Sequence, residues 1–155
     1  MPGSCHDPDR PVFRLAPASG WLNDPHGIIW HDGHHELFHQ FIPDAPVWSP
    51  GCRWGRAAAP DLVRWRPGGI ALAPRLDEDG CGSGSVAPDD GDPVIVYTSV
   101  RGPDLARGGS PCAVATTSGE RRVVLDGAWV LAASTWHDDR RAYVMSGLGD
   151  QEHLG

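Results

Sequence analysis

A chain of 155 residues fits one domain, and its 40% hydrophobic content contains no apolar run near the ~18 residues that a membrane-spanning helix needs. Thirteen basic residues, all of them Arg, stand against 20 acidic ones, and the net charge of -7 argues against a surface that tracks nucleic-acid phosphates. Neither a membrane nor a nucleic acid is expected as a partner. Gly 20 and Pro 15 alongside 7 Trp suggest an ordered core built from short strands and many turns rather than long helices.

The opening Met1–Asp7 stretch has neither a basic nor an apolar section, so a secretory signal is not expected and a cytoplasmic location is. Residues 21–27, Trp-Leu-Asn-Asp-Pro-His-Gly, contain Asn-Asp-Pro, which by itself reads as an Asx-turn closed by proline. Two apolar segments, Gly27–Trp30 and Glu36–Ile42, then flank His31-Asp32-Gly33-His34-His35. The Asp-Gly pair predicts an antiparallel hairpin. Within Glu36–Ile42, alternation puts Leu37, His39 and Phe41 on one face and Phe38, Gln40 and Ile42 on the other.

Further strands are expected at Arg53–Ala58, Ser85–Ala87, Pro93–Val100, Cys112–Thr116, Ala128–Ser134 and Arg141–Ser146, with a single helical turn at Asp61–Trp65. Residues 101–111 and 147–155 are expected as a loop and a tail. Short strands at regular spacing point to a sandwich, barrel or propeller. Cys5, Cys52, Cys81 and Cys112 make no C-x-x-C pair, so buried or idle thiols are expected rather than a zinc ribbon or redox dithiol. The crowd of His26, His31, His34, His35 and His39 matches no zinc signature, and alternation sends these rings to opposite faces. No metal or other cofactor is expected.

Five ordered blocks carry the chemistry: Trp21–Gly27, then Phe38-His39-Gln40-Phe41, then Trp54-Gly55-Arg56-Ala57 running into Pro60–Trp65, then Gly80–Ser85, then Val96-Tyr97-Thr98. Together they resemble glycoside hydrolase family 32, the invertase, inulinase and levanase family of β-fructosidases. That family opens with W-M-N-D-P-N-G, followed by a strand ending Y-Q-Y-N-P, then W-G-H-A-x-S-x-D-L-x-x-W, then F-S-G-S. Here Leu22 replaces the Met, His26 the second Asn, and Gly82 the aromatic residue of F-S-G-S.

The resemblance implies an all-β, five-bladed β-propeller and retaining hydrolysis of terminal fructosyl bonds in sucrose or fructans. It makes Asp24 the nucleophile that forms a covalent fructosyl-enzyme, with the acid/base group about 5–5.5 Å away. Asn23, Gln40 and Ser83 match residues that meet the sugar's hydroxyls, and Trp21, Trp48 and Trp54 match tryptophans at the pocket, where a flat ring can cover a sugar face. On this reading, residues 1–20 form a lead-in, 21–146 a partial propeller and 147–155 a tail.

The family's other two acids lie in R-D-P and E-C blocks, and the chain contains neither Arg-Asp-Pro nor Glu-Cys. A blade takes roughly 40–45 residues, so about three blades fit in this length. A truncated or frameshifted relative is therefore expected, weakly active or inactive, with open strand edges that favour self-association. Two alternatives stand beside it: a non-catalytic carbohydrate-binding remnant, and a related propeller glycosidase or phosphorylase that acts on another sugar.

Overall fold

In the computed structural model, residues 15–87 and 93–101 are described in full, and 110–115 and 121–123 as strand backbone. They form two antiparallel four-stranded meanders. The first consists of β1 (Trp21–His31), β2 (His34–Ile42), β3 (Arg53–Ala59) and β4 (Arg66–Leu72); the second, of β5 (Gly80–Ala87), β6 (Val94–Val100), β7 (Ser110–Ala115) and β8 (Arg121–Val123). In each sheet the spatial order equals the chain order, as in propeller blades, and the leading strands β1 and β5 touch. The expected strands at Ala128–Ser134 and Arg141–Ser146 lie outside the described residues.

The β1–β2 hairpin closes as its sequence predicts. His31 pairs with His34, and the two residues between them, Asp32 and Gly33, have φ of 47° and 79°. Positive φ at both central positions is the handedness that a two-residue turn needs to match the twist of its strands. Strand β2 is buried on both faces, from Glu36, Phe38, Gln40 and Ile42 on one side to Leu37 and His39 on the other. An inner strand between two covered faces needs no polar alternation.

The core joins the two sheets. Ile29, Phe38, Trp54 and Leu72 from the first pack with Cys81, Val86, Ile95 and Tyr97 from the second. Burial of each large side chain among them contributes roughly 1.5–3 kcal/mol. The close approach of β5 to β6 requires glycine at position 84, where a Cβ would stand 2.0 Å from the carbonyl oxygen of Val96. The other side of the first sheet borders a cavity of about 180 Å³ lined by Leu15, Pro17, Leu22, His39 and Phe41.

Two expectations need correction. Asp61–Trp65 makes no helical turn but a bend, because Leu62 has φ of 61° and the Asp61 carboxylate accepts the backbone N–H groups of Val63 (3.1 Å) and Arg64 (2.9 Å). These bonds, Arg64 foremost, hold the Asp61 carboxyl below the usual carboxylate range. The segment after it, with Pro67, Gly68 and Gly69, is not among the expected strands but forms β4. It is an exposed edge strand with irregular register, the one setting in a sheet that accepts proline and glycine together.

A buried carboxylate locks the passage between the sheets. Glu78, in the β4–β5 connection, accepts Tyr97 Oη at 2.6 Å, Ser99 Oγ at 2.8 Å and the backbone N–H of Arg75 at 2.8 Å. With three donors for one charge, its burial is compensated.

Candidate active site

The site grows out of irregularities in β1. Asn23 pairs with Gln40, Pro25 with His39 and Gly27 with Phe38, which leaves Asp24 and His26 as extra residues in two successive bulges. A bulge releases a residue from the ladder and re-aims its side chain. Asp24 has φ of 23°, on the left-handed side where Asp is tolerated better than most residues, and it is exposed between exposed Asn23 and Pro25. The carboxylate is thus presented to solvent beside the seam between the sheets.

Register gathers the neighbours. Asn23, Gln40 and Trp54 lie opposite one another on β1, β2 and β3 and form one cross-strand row. Two members of this row grip β5: Gln40 Nε2 donates to Ser83 Oγ at 3.3 Å, and Trp54 Nε1 donates to the Gly82 carbonyl at 2.9 Å. The Ser83 carbonyl in turn accepts Thr98 Oγ1 at 3.0 Å. The result is a patch of carboxylate, amides and hydroxyl, a donor and acceptor set suited to sugar hydroxyls.

The structure therefore brings Asn23, Gln40, Trp54 and Ser83 together from β1, β2, β3 and β5, beside the bulge that holds Asp24. Trp21 is half-buried opposite Ile42, and Trp48 stands 54% exposed on the β2–β3 connection; among the described residues, no hydrogen bond or ring contact ties either to the row. Trp54 corrects an expectation. It is 0% exposed, so its ring cannot cover a sugar; it is a wall post whose face is taken by His26, with ring centroids 4.3 Å apart and planes at 27°. Gly82 stands where the family pattern has an aromatic residue, and a Cβ there would already come within 3.2 Å of Thr98 Cβ.

Burial shapes the electrostatics. The His26 imidazole is pushed down to about 4 by desolvation; the Asp24 carboxylate pulls it up and His39 reinforces the fall. His39 is also lowered by burial, although its Nδ1 donates to the Gln40 carbonyl at 3.1 Å. The buried Cys52 thiol is raised, chiefly by desolvation and further by Asp24, which makes it unreactive. The remaining histidines disperse, with His34 Nε2 on Glu36 at 3.1 Å and His35 edge-on to Trp30. Sequence reasoning noted His26 as a departure from a pattern and as one of the crowded histidines; neither its stack nor its burial carries a local signal.

The family model for the glycosyl hydrolases family 32 N-terminal domain matches residues 14–123. The chain belongs to that family. Similar curated proteins include a sucrose-6-phosphate hydrolase of Zymomonas mobilis, 44% identical over 90 residues that cover 57% of this chain and 17% of that protein. A raffinose invertase of Escherichia coli is 42% identical over 57% of this chain and 19% of its own length. Among solved structures, the family 32 β-fructofuranosidase of Bombyx mori has a TM-score of 0.68 at 27% identity, with 84% of this chain and 30% of that one covered. A Schwanniomyces occidentalis fructofuranosidase bound to fructose has a TM-score of 0.70 at 24% identity, covering 88% and 31%. The all-β propeller architecture agrees with these neighbours. The chain spans under a fifth of the length of these curated relatives and under a third of these solved chains.

Proposed function

We propose that these residues are the nucleophile-bearing part of a retaining β-fructosidase that cleaves terminal fructosyl bonds in sucrose or fructans. The observation that carries this reading is Asp24, set free of the ladder by a bulge on the leading strand beside the Asn23, Gln40 and Ser83 patch. The carboxylate attacks the anomeric carbon, the bond to the leaving oxygen breaks, and a fructosyl ester forms; water then hydrolyses the ester. A second carboxyl group must protonate the leaving oxygen. The two buried glutamates described are engaged elsewhere, Glu78 by three donors and Glu36 by His34 and Arg56. With neither the Arg-Asp-Pro nor the Glu-Cys block, this chain alone is weakly active or inactive.

The test is calorimetric titration of the chain with fructose, combined with labelling by an epoxide-bearing fructoside, whose ring a carboxylate opens to form an ester detectable by mass spectrometry. Label on Asp24, lost in Asp24→Asn while fructose still binds, supports the assignment. Fructose binding without any label identifies a carbohydrate-binding remnant, and an absence of both overturns the fructoside reading.

A further inference from the structure

The turn that closes the β1–β2 hairpin also decides which backbone groups of β1 are left over. A two-residue loop closes on a hydrogen-bonded pair, here His31 and His34, and bonded pairs then alternate along an antiparallel ladder. Gly27 and Ile29 therefore spend their N–H and C=O groups on β2, while Ile28 and Trp30 direct theirs away from the sheet. β1 is the edge of its sheet, so among the described residues no strand pairs with them. β5 lies against the face of β1 rather than along its edge, since a Cβ on Gly27 would stand 3.5 Å from Val86 Cβ.

Edge strands are normally guarded against pairing with another chain, and the first sheet guards most of its two edges. β4 carries Arg66, Pro67 and the Gly68-Gly69 pair on an irregular register, and the first half of β1 carries Pro25 and two bulges. Gly27–His31 has no such device. It is regular in register, contains no proline and no acidic or basic residue besides His31, and exposes Ile28 (53%) and Trp30 (60%).

We propose that this five-residue edge pairs with the same edge of a second copy of the chain, antiparallel and centred on Ile29. In that register Ile28 of each copy exchanges two hydrogen bonds with Trp30 of the other, so both outward residues are matched. Centring on Ile28 would set Trp30 against the bulged His26, and centring on Trp30 would set Ile28 against the turn residue Asp32. The side chains agree with the backbone. Each Trp30 meets an Ile28, a favourable aromatic and β-branched pair, and prolongs the rows that Ile28 makes with Leu37 and Trp30 with His35. A two-fold seam sets a patch against its own copy, and an uncharged patch can face itself without repulsion. The seam is short and the net charge of -7 opposes association, so the dimer is weak and strengthens with added salt. None of this depends on the fructosidase reading.

Amide hydrogen exchange of the full chain, read by NMR at about 20 μM and about 1 mM, tests the edge residue by residue. The expected result is an Ile29 amide protected at both concentrations, through β2, and Ile28 and Trp30 amides whose protection rises at least about fivefold at the higher one. Sedimentation over the same range compares two variants with the parent. Ile28→Pro removes an outward N–H while leaving the β1–β2 ladder its bonds, at an edge position of the kind that accepts proline. Trp30→Lys sets a charge against Ile28 of the second copy. Each should weaken self-association at least about tenfold, the worth of one modest hydrogen bond or apolar contact. Exchange at Ile28 and Trp30 that ignores concentration, a parent chain that stays monomeric throughout, or self-association unaltered in both variants overturns the proposal. Should a variant lose the hairpin, exchange in the parent alone decides.

Discussion

Trp54 donates its indole N–H to the carbonyl of Gly82 at 2.9 Å, and this bond crosses from one sheet to the other. It is made by a side chain with no exposure at all, in the row that also contains Asn23 and Gln40. Packing of the two blades and assembly of the polar patch are therefore one event. Trp54→Phe, which deletes the bond and part of the ring, should cost about 1–3 kcal/mol, and Trp54→Ala about 3–5 kcal/mol. Urea unfolding of the chain measures both, and a loss below 0.5 kcal/mol for Trp54→Phe, on the order of a neutral surface change, would count against the bond.

Gly55 pairs with His39, and a Cβ on it would stand 2.5 Å from His39 Cε1. The histidine is buried and bound through Nδ1 to the Gln40 carbonyl, so it can yield only by turning its ring into the cavity it lines and giving up that bond. Gly55→Ala should therefore destabilise by roughly 1–3 kcal/mol, as overpacking does, and shift the His39 ring resonances. Unchanged His39 resonances in the variant would show the ring to be looser than its surroundings imply.

The lowered histidines set a sign for acid sensitivity. Above pH 6.5 His26 is neutral in both folded and unfolded chains and contributes nothing. As the pH falls from 6.5 toward about 4, the unfolded chain binds a proton that the folded chain refuses, so stability declines. The loss approaches about 1.4 kcal/mol per pH unit for one such group. His39 acts in the same direction. His34, raised by its bond to Glu36, acts oppositely: its contribution is complete below the unfolded value and fades as the pH rises through the folded one, and solvent at this half-buried ring screens it. Urea midpoints between pH 4 and 7 should therefore show a slope that His26→Phe reduces, and an equal slope in that variant would contradict the assignment.

Glu78 accepts three donors inside the protein, so its removal strands all of them. Glu78→Ala should cost about 3–5 kcal/mol and Tyr97→Phe about 1–2 kcal/mol. The double variant should cost less than the sum, since both changes remove the same bond. Strict additivity in this cycle would mean that the Tyr97–Glu78 bond does not contribute.

Where local chemistry decided the outcome, the structure could be read from the residues. Asp32-Gly33 specified its turn, and the β-branched run at 94–96 with Tyr97 specified β6. β4 escaped because edge strands tolerate the residues that elsewhere signal loops, and Asp61–Trp65 misled because a side-chain cap imitates the opening of a helix. At the candidate site, Asn23, Asp24, Gln40 and Ser83 were singled out through a family pattern, and register accounts for the row that joins Asn23, Gln40 and Ser83. Trp54 shows the limit of that route: its residue type suits a sugar platform, but only the packing of β1 and β5 around it reveals that its ring is enclosed.

The Asp32-Gly33 turn also orders events in time. A two-residue turn lets β1 and β2 zip with little loop-closure entropy, on the scale of microseconds for a hairpin. The pairing of Asn23 with Gln40, and with it the bulge that frees Asp24, belongs to this early zipper. The bond from Gln40 to Ser83 spans 43 positions and must wait for the second sheet to arrive. Asp24 is thus set in its strand before Ser83 and Gly82 reach the row, and a variant that slows docking of β5 would leave a chain with the bulge formed and the bonds to β5 absent.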